Sequence, residues 1–240
     1  MTVGPGQGTS ETAGPVTALI VAAGSGLRLG ADLPKALVPV GGRPMYEWSL
    51  AACLAASRID RVVVAVPPGS AADFAAPGAD LVDGGDSRSK SVAAGLELVT
   101  GDLVLVHDAA RPLVTPGLID AAVEALESDP EADAVVAAAP VTDTIKRVGP
   151  DGLVAGTLDR SELRSVQTPQ VFRTDVLRRA IETGDVDNAT DDAFLIESAG
   201  GRVAVLDAPA TNIKVTVPSD IELAALLLAA AVPSNPSDKE

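Results

Sequence analysis

The stretch Thr17-Ala-Leu-Ile-Val-Ala-Ala-Gly-Ser-Gly-Leu-Arg-Leu-Gly30, which leads on to Pro34-Lys35, decides the fold. After Thr17, residues 18–23 are continuously apolar, which is typical of a parallel strand buried on both faces, and glycines follow at once. In open α/β sheets, ligands bind where such a loop leaves the carboxyl end of a strand. Amides of the glycine loop can face phosphates, and Arg28 and Lys35 supply two cations. An ordinary strand-to-helix turn with solvated charges fits the loop alone equally well.

Two better known loops are excluded by spacing. Gly30 falls one residue too late for the dinucleotide fingerprint G-x-G-x-x-G, and no Gly-Lys-Ser/Thr follows as a Walker A loop requires. The misplaced glycine, together with the lack of an acidic residue closing a second strand, argues against a nicotinamide oxidoreductase.

Outward from this stretch, short apolar runs alternate with helical patterns. We predict strands at 17–22, 61–66, 79–82, 103–106 and 134–139, and helices at 44–57, 87–99 and 116–127. This alternation predicts an α/β fold with a Rossmann-like, doubly wound, mostly parallel sheet.

The alternation breaks at about 140–166, where a turn at Gly149-Pro-Asp-Gly152 predicts an inserted β-hairpin arm. Such an irregular insertion is usually functional or forms an interface. Helices at 174–182 and 191–198, strands at 203–206 and 213–217, and a C-terminal amphipathic helix capped by Ser219 complete the prediction. One domain is therefore expected at 17–232, with disordered tails at 1–16 and 233–240.

Composition limits the class of partner. Lys and Arg total 18 against 33 Asp and Glu, and the net charge of -15 argues against a nucleic-acid partner. The run from Ile221 to Val232 is too short to span a bilayer, and the N-terminal residues lack the apolar segment of a secretory signal. Neither membrane association nor secretion is expected, so the expected compartment is the cytoplasm. Cys53, the only cysteine, rules out an intrachain disulfide.

A second string, Val104-Leu-Val-His-Asp-Ala-Ala-Arg-Pro112, places polar residues at a strand end. Asp108 can bind a ribose hydroxyl or a phosphate-bound Mg²⁺, and Arg111 can hold a phosphate through two nitrogens. His107 by itself is interpreted as a packed turn histidine.

A third string, Asp83-Gly-Gly-Asp-Ser-Arg-Ser-Lys-Ser91, opens a helix whose amino end favours anions, although a simple cap fits it equally well. Five shorter strings are unspecific alone: Asp143-Thr-Ile-Lys146, Asp159-Arg160, Gln167-Thr-Pro-Gln170, Thr190-Asp-Asp192 and Asn212-Ile-Lys-Val-Thr216.

Together and in this order, the strings closely resemble the 2-C-methyl-D-erythritol 4-phosphate cytidylyltransferase family of the non-mevalonate isoprenoid pathway, from about Ala18 to Leu228. The resemblance implies a nucleotidyltransferase that moves CMP from CTP to 2-C-methyl-D-erythritol 4-phosphate and releases pyrophosphate. It also implies a homodimer formed by exchange of the arms. We expect Mg²⁺ held mainly by the CTP phosphates, and no protein ligand for the metal is assigned.

The resemblance also implies roles for single residues. Arg28 and Lys35 match the basic pair that binds the CTP phosphates and stabilises the transition state, while Arg160 and Lys214 orient the substrate. The CTP-binding positions are Ala22, Ala23 and Gly24 along the nucleotide, Gly85, Asp86 and Ser91 around cytosine, and Asp108 between nucleotide and substrate. The substrate-binding positions are Arg111, Thr144, Arg160, Thr168, Thr190 and Lys214.

Two alternatives stay open. A ribitol-5-phosphate cytidylyltransferase shares the glycine loop and Thr-Pro-Gln, but Lys146 and Ala110 favour methylerythritol phosphate. A non-catalytic nucleotide-sensing protein of the same fold is disfavoured because both Arg28 and Lys35 are present.

Overall fold

The computed structural model describes residues 14–24, 26, 29–30, 33–186 and 189–231. The tails predicted to be disordered lie outside the described residues, apart from 14–16, and so does Arg28. The predicted domain limits stay predictions.

Strands and helices alternate along the described chain. The strands are β1 (Val16–Val21), β2 (Pro39–Val40), β3 (Arg43–Pro44), β4 (Arg61–Val66), β5 (Asp80–Asp83), β6 (Leu103–Asp108), β7 (Ala134–Pro140), β8 (Lys146–Val148), β9 (Val154–Thr157), β10 (Arg164–Arg173) and β11 (Val203–Asp207). The helices are α1 (Met45–Ala55), α2 (Arg88–Leu96), α3 (Pro116–Ser128), α4 (Thr174–Thr183), α5 (Asp192–Ser198) and α6 (Pro218–Ala231).

Seven strands form one sheet in the order β11-β7-β10-β6-β1-β4-β5, and β10 alone runs antiparallel to its neighbours. The predicted mostly parallel α/β sheet is confirmed. Its inner strands are buried on both faces, since α1 and α3 cover one side and α2, α4 and α5 cover the other, whereas the edge strands β5 and β11 are partly exposed. Alanine and valine dominate the buried strand positions, which lets the helices lie close to the sheet.

The sequence prediction missed β10. This strand contains Pro169, has an exposed polar start at Arg164 and Ser165, and lacks the apolar run of its neighbours. Its register against β7 shifts between Val166 and Gln170. The proline lies inside that irregularity, where its missing N–H removes no regular ladder bond. The predicted arm at 140–166 therefore ends inside a central strand.

Two further predictions at the C-terminus are wrong. Residues 213–217 form no strand. Val215 N instead donates a hydrogen bond to Ala110 O (2.8 Å) in the loop after β6. α6 begins at Pro218 rather than after Ser219, because the carboxylate of Asp220 accepts the preceding backbone N–H groups of Thr216 and Val217.

The helix α6 is also not cleanly amphipathic, because Ala224 is its one residue classed as buried and the Leu226 side chain is 70 % exposed. Across the described ranges, every helix falls short of the length and apolarity needed to cross a bilayer. The cytoplasmic location stays a prediction.

The predicted hairpin is confirmed, and it stands apart from the main sheet. β8 and β9 pair only with each other in an antiparallel ribbon. Its large apolar side chains face outward: Val148 is 56 % exposed, Leu153 68 % and Val154 61 %. A two-stranded ribbon by itself is only marginally stable in water. Its uncovered apolar side chains therefore indicate a surface that packs against a partner.

Candidate active site

A cavity of about 870 Å³ lies at the carboxyl ends of β1, β5 and β6. This is large enough for a nucleotide. Nine of the predicted site residues line it: Ala22, Ala23, Gly24, Lys35, Gly85, Asp86, Ser91, Asp108 and Lys214. The parallel strands bring these residues together, although they come from four separate parts of the chain.

The glycine loop after β1 is closed by its own backbone. Gly24 O accepts a hydrogen bond from Lys35 N (3.1 Å). Gly26 has a φ of 72°, and a Cβ added there would lie 3.1 Å from the Lys35 Cα. Only glycine suits both this conformation and this contact. The loop therefore places Lys35 on the cavity wall.

Hydrogen bonds also fix the loop after β5. Gly84 N donates to Val66 O (2.7 Å), and Gly85 N donates to Ser91 Oγ (3.1 Å), whose hydroxyl in turn donates to Ser87 O (2.9 Å). The Gly85–Ser91 loop is therefore a preformed part of the cavity wall.

Asp108, the last residue of β6, is held by two cations. Its Oδ1 accepts from Arg88 Nε (3.0 Å) and its Oδ2 accepts from Lys214 Nζ (2.5 Å). Burial alone would raise the pKa of Asp108, but the charges of Arg88 and Lys214 outweigh it and hold that pKa well below its usual range. Asp108 is therefore an anion at every physiological pH.

Behind Asp108, a buried histidine sets the position of the strand end. His107 Nε2 lies 3.2 Å from Arg111 O, and its Nδ1 lies 3.0 Å from Thr168 Oγ1. A carbonyl oxygen can only accept, so Nε2 carries the proton and Nδ1 accepts from the threonine hydroxyl. The same Thr168 oxygen accepts from Asp108 N (3.0 Å). Burial lowers the pKa of His107 to about 4, which keeps the ring neutral at pH 7.

A second buried frame supports Lys214. Arg111 Nη1 donates to Asn212 O (2.8 Å), while Asn212 Nδ2 donates to Gln167 Oε1 (2.8 Å) and to Thr168 O (2.9 Å). Arg111 and Thr168 were predicted to bind substrate. In the described chain they lie beneath the cavity lining, where they hold Asn212 and Asp108.

The other predicted substrate residues lie away from this cavity. Thr144 and Arg160 are exposed on the arm, where Arg160 Nη1 donates to Thr142 O (2.5 Å). Thr190 is exposed just before α5. The described part of the same chain therefore does not bring Thr144, Arg160 and Thr190 to the cavity lining formed by Lys35 and Lys214.

Sequence reasoning missed Arg88, Asp192 and Thr216. Arg88 and Thr216 line the cavity, and Arg88 also pairs with the buried Asp192. All three lie inside strings already singled out, but none of those strings indicates that Arg88 reaches carboxylates 20 and 104 residues away.

A glycine loop at a strand end, cationic side chains around a nucleotide-sized cavity and a mostly parallel sheet define a nucleotidyltransferase. Comparison with known proteins identifies which one. The sequence profile of the family 2-C-methyl-D-erythritol 4-phosphate cytidylyltransferase matches residues 16–230, and the chain belongs to this family. The predicted family and cytidylyltransferase class are thereby confirmed.

Individual relatives with high sequence identity come from the same family. The chain is 47 % identical over 219 residues to the 2-C-methyl-D-erythritol 4-phosphate cytidylyltransferase of Rhodococcus jostii, covering 90 % of this chain and 96 % of the relative. It is 46 % identical to that of Synechococcus, with 88 % and 98 % covered. The crystal structure of the enzyme from Thermus thermophilus superposes with a TM-score of 0.75 at 37 % identity, covering 88 % of this chain and 98 % of that one.

Proposed function

We propose that the chain transfers CMP from CTP to 2-C-methyl-D-erythritol 4-phosphate, with CTP bound in the cavity above β1, β5 and β6. Family membership supports the substrates. The observation that carries the site assignment is that Lys35 and Lys214 both line a cavity walled by two glycine-led loops.

The chemistry needs positioning and charge neutralisation more than a base. A phosphate oxygen of the polyol substrate is already an anion, so it can attack the α-phosphorus of CTP without losing a proton. A new P–O bond forms, the bond to the β-phosphate oxygen breaks, and pyrophosphate leaves. Cations aimed at the phosphates lower the repulsion between the two reactants, and we assign this role to Lys35 and Lys214 because both line the cavity.

The residues fit a Mg²⁺ ion held mainly by the nucleotide. The described residues contain no group of three His, Cys, Asp or Glu side chains that could bind a metal. Each Asp108 oxygen already accepts one hydrogen bond, from Arg88 or from Lys214, so Asp108 alone would be an incomplete ligand set, and the phosphates and water would supply the remaining ligands. The bound ion would neutralise phosphate charge.

The direct test is pyrophosphate release measured with CTP against a panel of polyol phosphates. Methylerythritol 4-phosphate is expected to be turned over far faster than ribitol 5-phosphate or erythritol 4-phosphate. Equal or faster use of ribitol 5-phosphate would overturn the substrate assignment. Equal turnover of ATP and CTP would overturn the role given to the Gly85–Ser91 loop.

We further propose that each active site is completed by the arm of a second chain. Thr144 and Arg160 are exposed on a hairpin whose own apolar side chains are uncovered, and they do not line the described cavity of their own chain. A two-fold partner covers both arms at once and carries Arg160 to the opposite site.

Mixing two inactive variants tests this shared site. Lys35→Ala is expected to lower kcat by about 10² or more, because a preorganised cation is lost from the developing charge. Arg160→Ala is expected mainly to weaken use of the polyol phosphate. Random reassortment makes about half of the dimers mixed, and each mixed dimer holds one intact site, so roughly a quarter of wild-type activity should return.

A second pair of variants, with both substitutions in the same cavity, provides the control. Lys35 and Lys214 line one cavity of one chain, so mixing Lys35→Ala with Lys214→Ala leaves a lesion in that pocket of every chain and should restore nothing. No recovery from the Lys35→Ala and Arg160→Ala mixture, despite proven subunit exchange, would refute the shared site.

A further inference from the structure

A chain of alternating charges extends from the partly exposed Lys214 at the cavity to the buried Asp192 inside the fold. Arg88, the first residue of α2, donates through Nε to Asp108 Oδ1 (3.0 Å) and through Nη1 to Asp192 Oδ2. Asp108 accepts from Lys214 at its other oxygen. The order is therefore Lys214, Asp108, Arg88, Asp192, with two positive and two negative charges supplied by four different parts of the fold.

Asp192 is the innermost member and has no evident structural task. Its side chain is 0 % exposed, and its Oδ1 has no hydrogen-bond partner in the described part of the chain. The preceding residue, Asp191, caps α5 instead, because its Oδ1 accepts from Phe194 N (2.9 Å). The single polar contact seen for the Asp192 carboxylate is the one to Arg88.

This carboxylate costs stability rather than supplying it. Burial raises the pKa of Asp192, and the Arg88 charge only partly opposes that rise; Asp108 and Asp191 add to it. A carboxyl whose pKa is raised on folding stabilises the fold while protonated and loses that contribution as the pH rises through the raised pKa. At neutral pH the buried charge is unfavourable. Buried groups that lower the stability of the fold in this way concentrate at functional sites.

We propose that Asp192 is a positioning residue that acts through Arg88: it holds the guanidinium so that Arg88 binds Asp108 through one nitrogen and leaves the other carboxylate oxygen to Lys214. The inference rests on the proposed function, in which Lys214 meets the phosphates. Without the Asp192 charge, Arg88 is free to turn and grip both oxygens of Asp108, since the bidentate pair is the stronger geometry. The guanidinium would then compete with Lys214 for Asp108 Oδ2, which weakens the anchor of Lys214.

The test compares two neighbouring carboxylates. Asp192→Asn keeps the side-chain shape and removes the charge, and we expect kcat to fall at least tenfold while the KM for CTP changes less than threefold. The melting temperature at pH 7.5 should stay equal or rise, which a merely structural role would not allow. Asp191→Asn is the control, because asparagine also caps helices and Asp191 does not contact Arg88 in the described contacts. Its kcat should stay within twofold of wild type.

A double-mutant cycle tests the route through Arg88. If Asp192 acts through Arg88, Arg88→Gln and the double variant Arg88→Gln, Asp192→Asn should have the same kcat within twofold. A further drop equal to that of Asp192→Asn alone would overturn the proposal. So would an Asp192→Asn kcat within twofold of wild type, whatever its melting temperature. Asp192→Ser replaces Asp192→Asn in all arms if the latter does not fold.

Failure of this inference is distinguishable from failure of the proposed function. A wild-type enzyme that does not turn over CTP with methylerythritol 4-phosphate overturns the function. An active wild type with an unimpaired Asp192→Asn variant overturns only the positioning role.

Discussion

At the scale of single residues, protonation states are set by burial and by neighbours. His107 and Asp108 are adjacent and both buried, yet the first is neutral and the second charged. The difference lies in their partners, because His107 meets a carbonyl and a hydroxyl whereas Asp108 meets two cations. This pairing gives Asp108 its charge and gives the strand end its rigidity.

The buried His107 makes a pH-dependent contribution to stability. Its pKa is about 4 in the folded chain against an ordinary value of 6.5, so between these values the unfolded chain binds a proton that the folded chain does not. Stability is therefore lost as the pH falls. Between pH 7.5 and pH 5 the loss from this residue should be about 2 kcal/mol.

The loss of unfolding free energy due to His107 is measured by urea unfolding of the wild type and of His107→Gln at pH 7.5 and pH 5. The glutamine amide can still donate to Arg111 O but does not titrate. The stability of the variant should therefore depend less steeply on pH, by that amount. Parallel pH profiles for the two proteins would contradict the neutral histidine.

At the scale of elements, the loops after parallel strands are fitted against one another. A Cβ at Gly84 would lie 2.8 Å from both Ala23 Cβ and Ser91 Oγ and 3.1 Å from Val66 O. Neither the alanine methyl nor the backbone carbonyl can move without shifting a strand end. The Gly85–Ser91 loop and the glycine loop after β1 are thus one packed unit.

Gly84→Ala should disturb both stability and nucleotide binding. Overpacking at this contact is expected to cost about 1–3 kcal/mol of unfolding free energy. Because the Gly85–Ser91 loop would be displaced, the KM for CTP should rise several-fold while the KM for the polyol phosphate changes little.

The matched control is Gly117→Ala in α3, where an added Cβ meets nothing within 4 Å. That change should leave both KM values unaltered and slightly raise stability, because alanine favours the helix. A Gly84→Ala enzyme with wild-type KM for CTP would argue against the loop as the base site.

At the scale of the whole molecule, the exposed arm predicts assembly. Leu153 on the hairpin is 68 % exposed, and burying a leucine contributes about 1.5–3 kcal/mol. If the arm packs on a second chain, Leu153→Asp should weaken the dimer at least tenfold, as measured by sedimentation equilibrium, with a normal circular dichroism spectrum. Activity should then depend on protein concentration.

Leu54→Asp is the control for a lost surface leucine. Leu54 is 47 % exposed near the end of α1, which leads to the amino end of β4, whereas the arm leaves the carboxyl end of β7. Leu54 and the arm therefore lie at opposite ends of the strands of the sheet. Dimerisation that is equally sensitive to both substitutions, or insensitive to Leu153→Asp, would contradict assembly through the arm.

The sequence by itself determined the parallel part of the fold and most of the cavity lining. Continuous apolar runs such as 18–23 and 62–66 are typical of strands buried on both faces, and the glycines that directly follow the first of these runs mark the end of the sheet where ligands bind. Ala22, Gly85 and Asp108 were therefore predictable as cavity lining, because each lies at or within a few residues of a strand end that local pattern identifies, and Lys35 was predictable because it follows the glycine loop.

Only the tertiary structure decided the rest. β10 is recognisable only between β6 and β7, since Pro169 and a polar first half hide it from local pattern. Thr168 looks like a surface threonine in sequence, yet the fold turns its hydroxyl toward His107. Arg88 meets Asp108 and Asp192 across 20 and 104 residues. Such contacts depend on how distant elements pack, and local sequence periodicity carries no information about that packing.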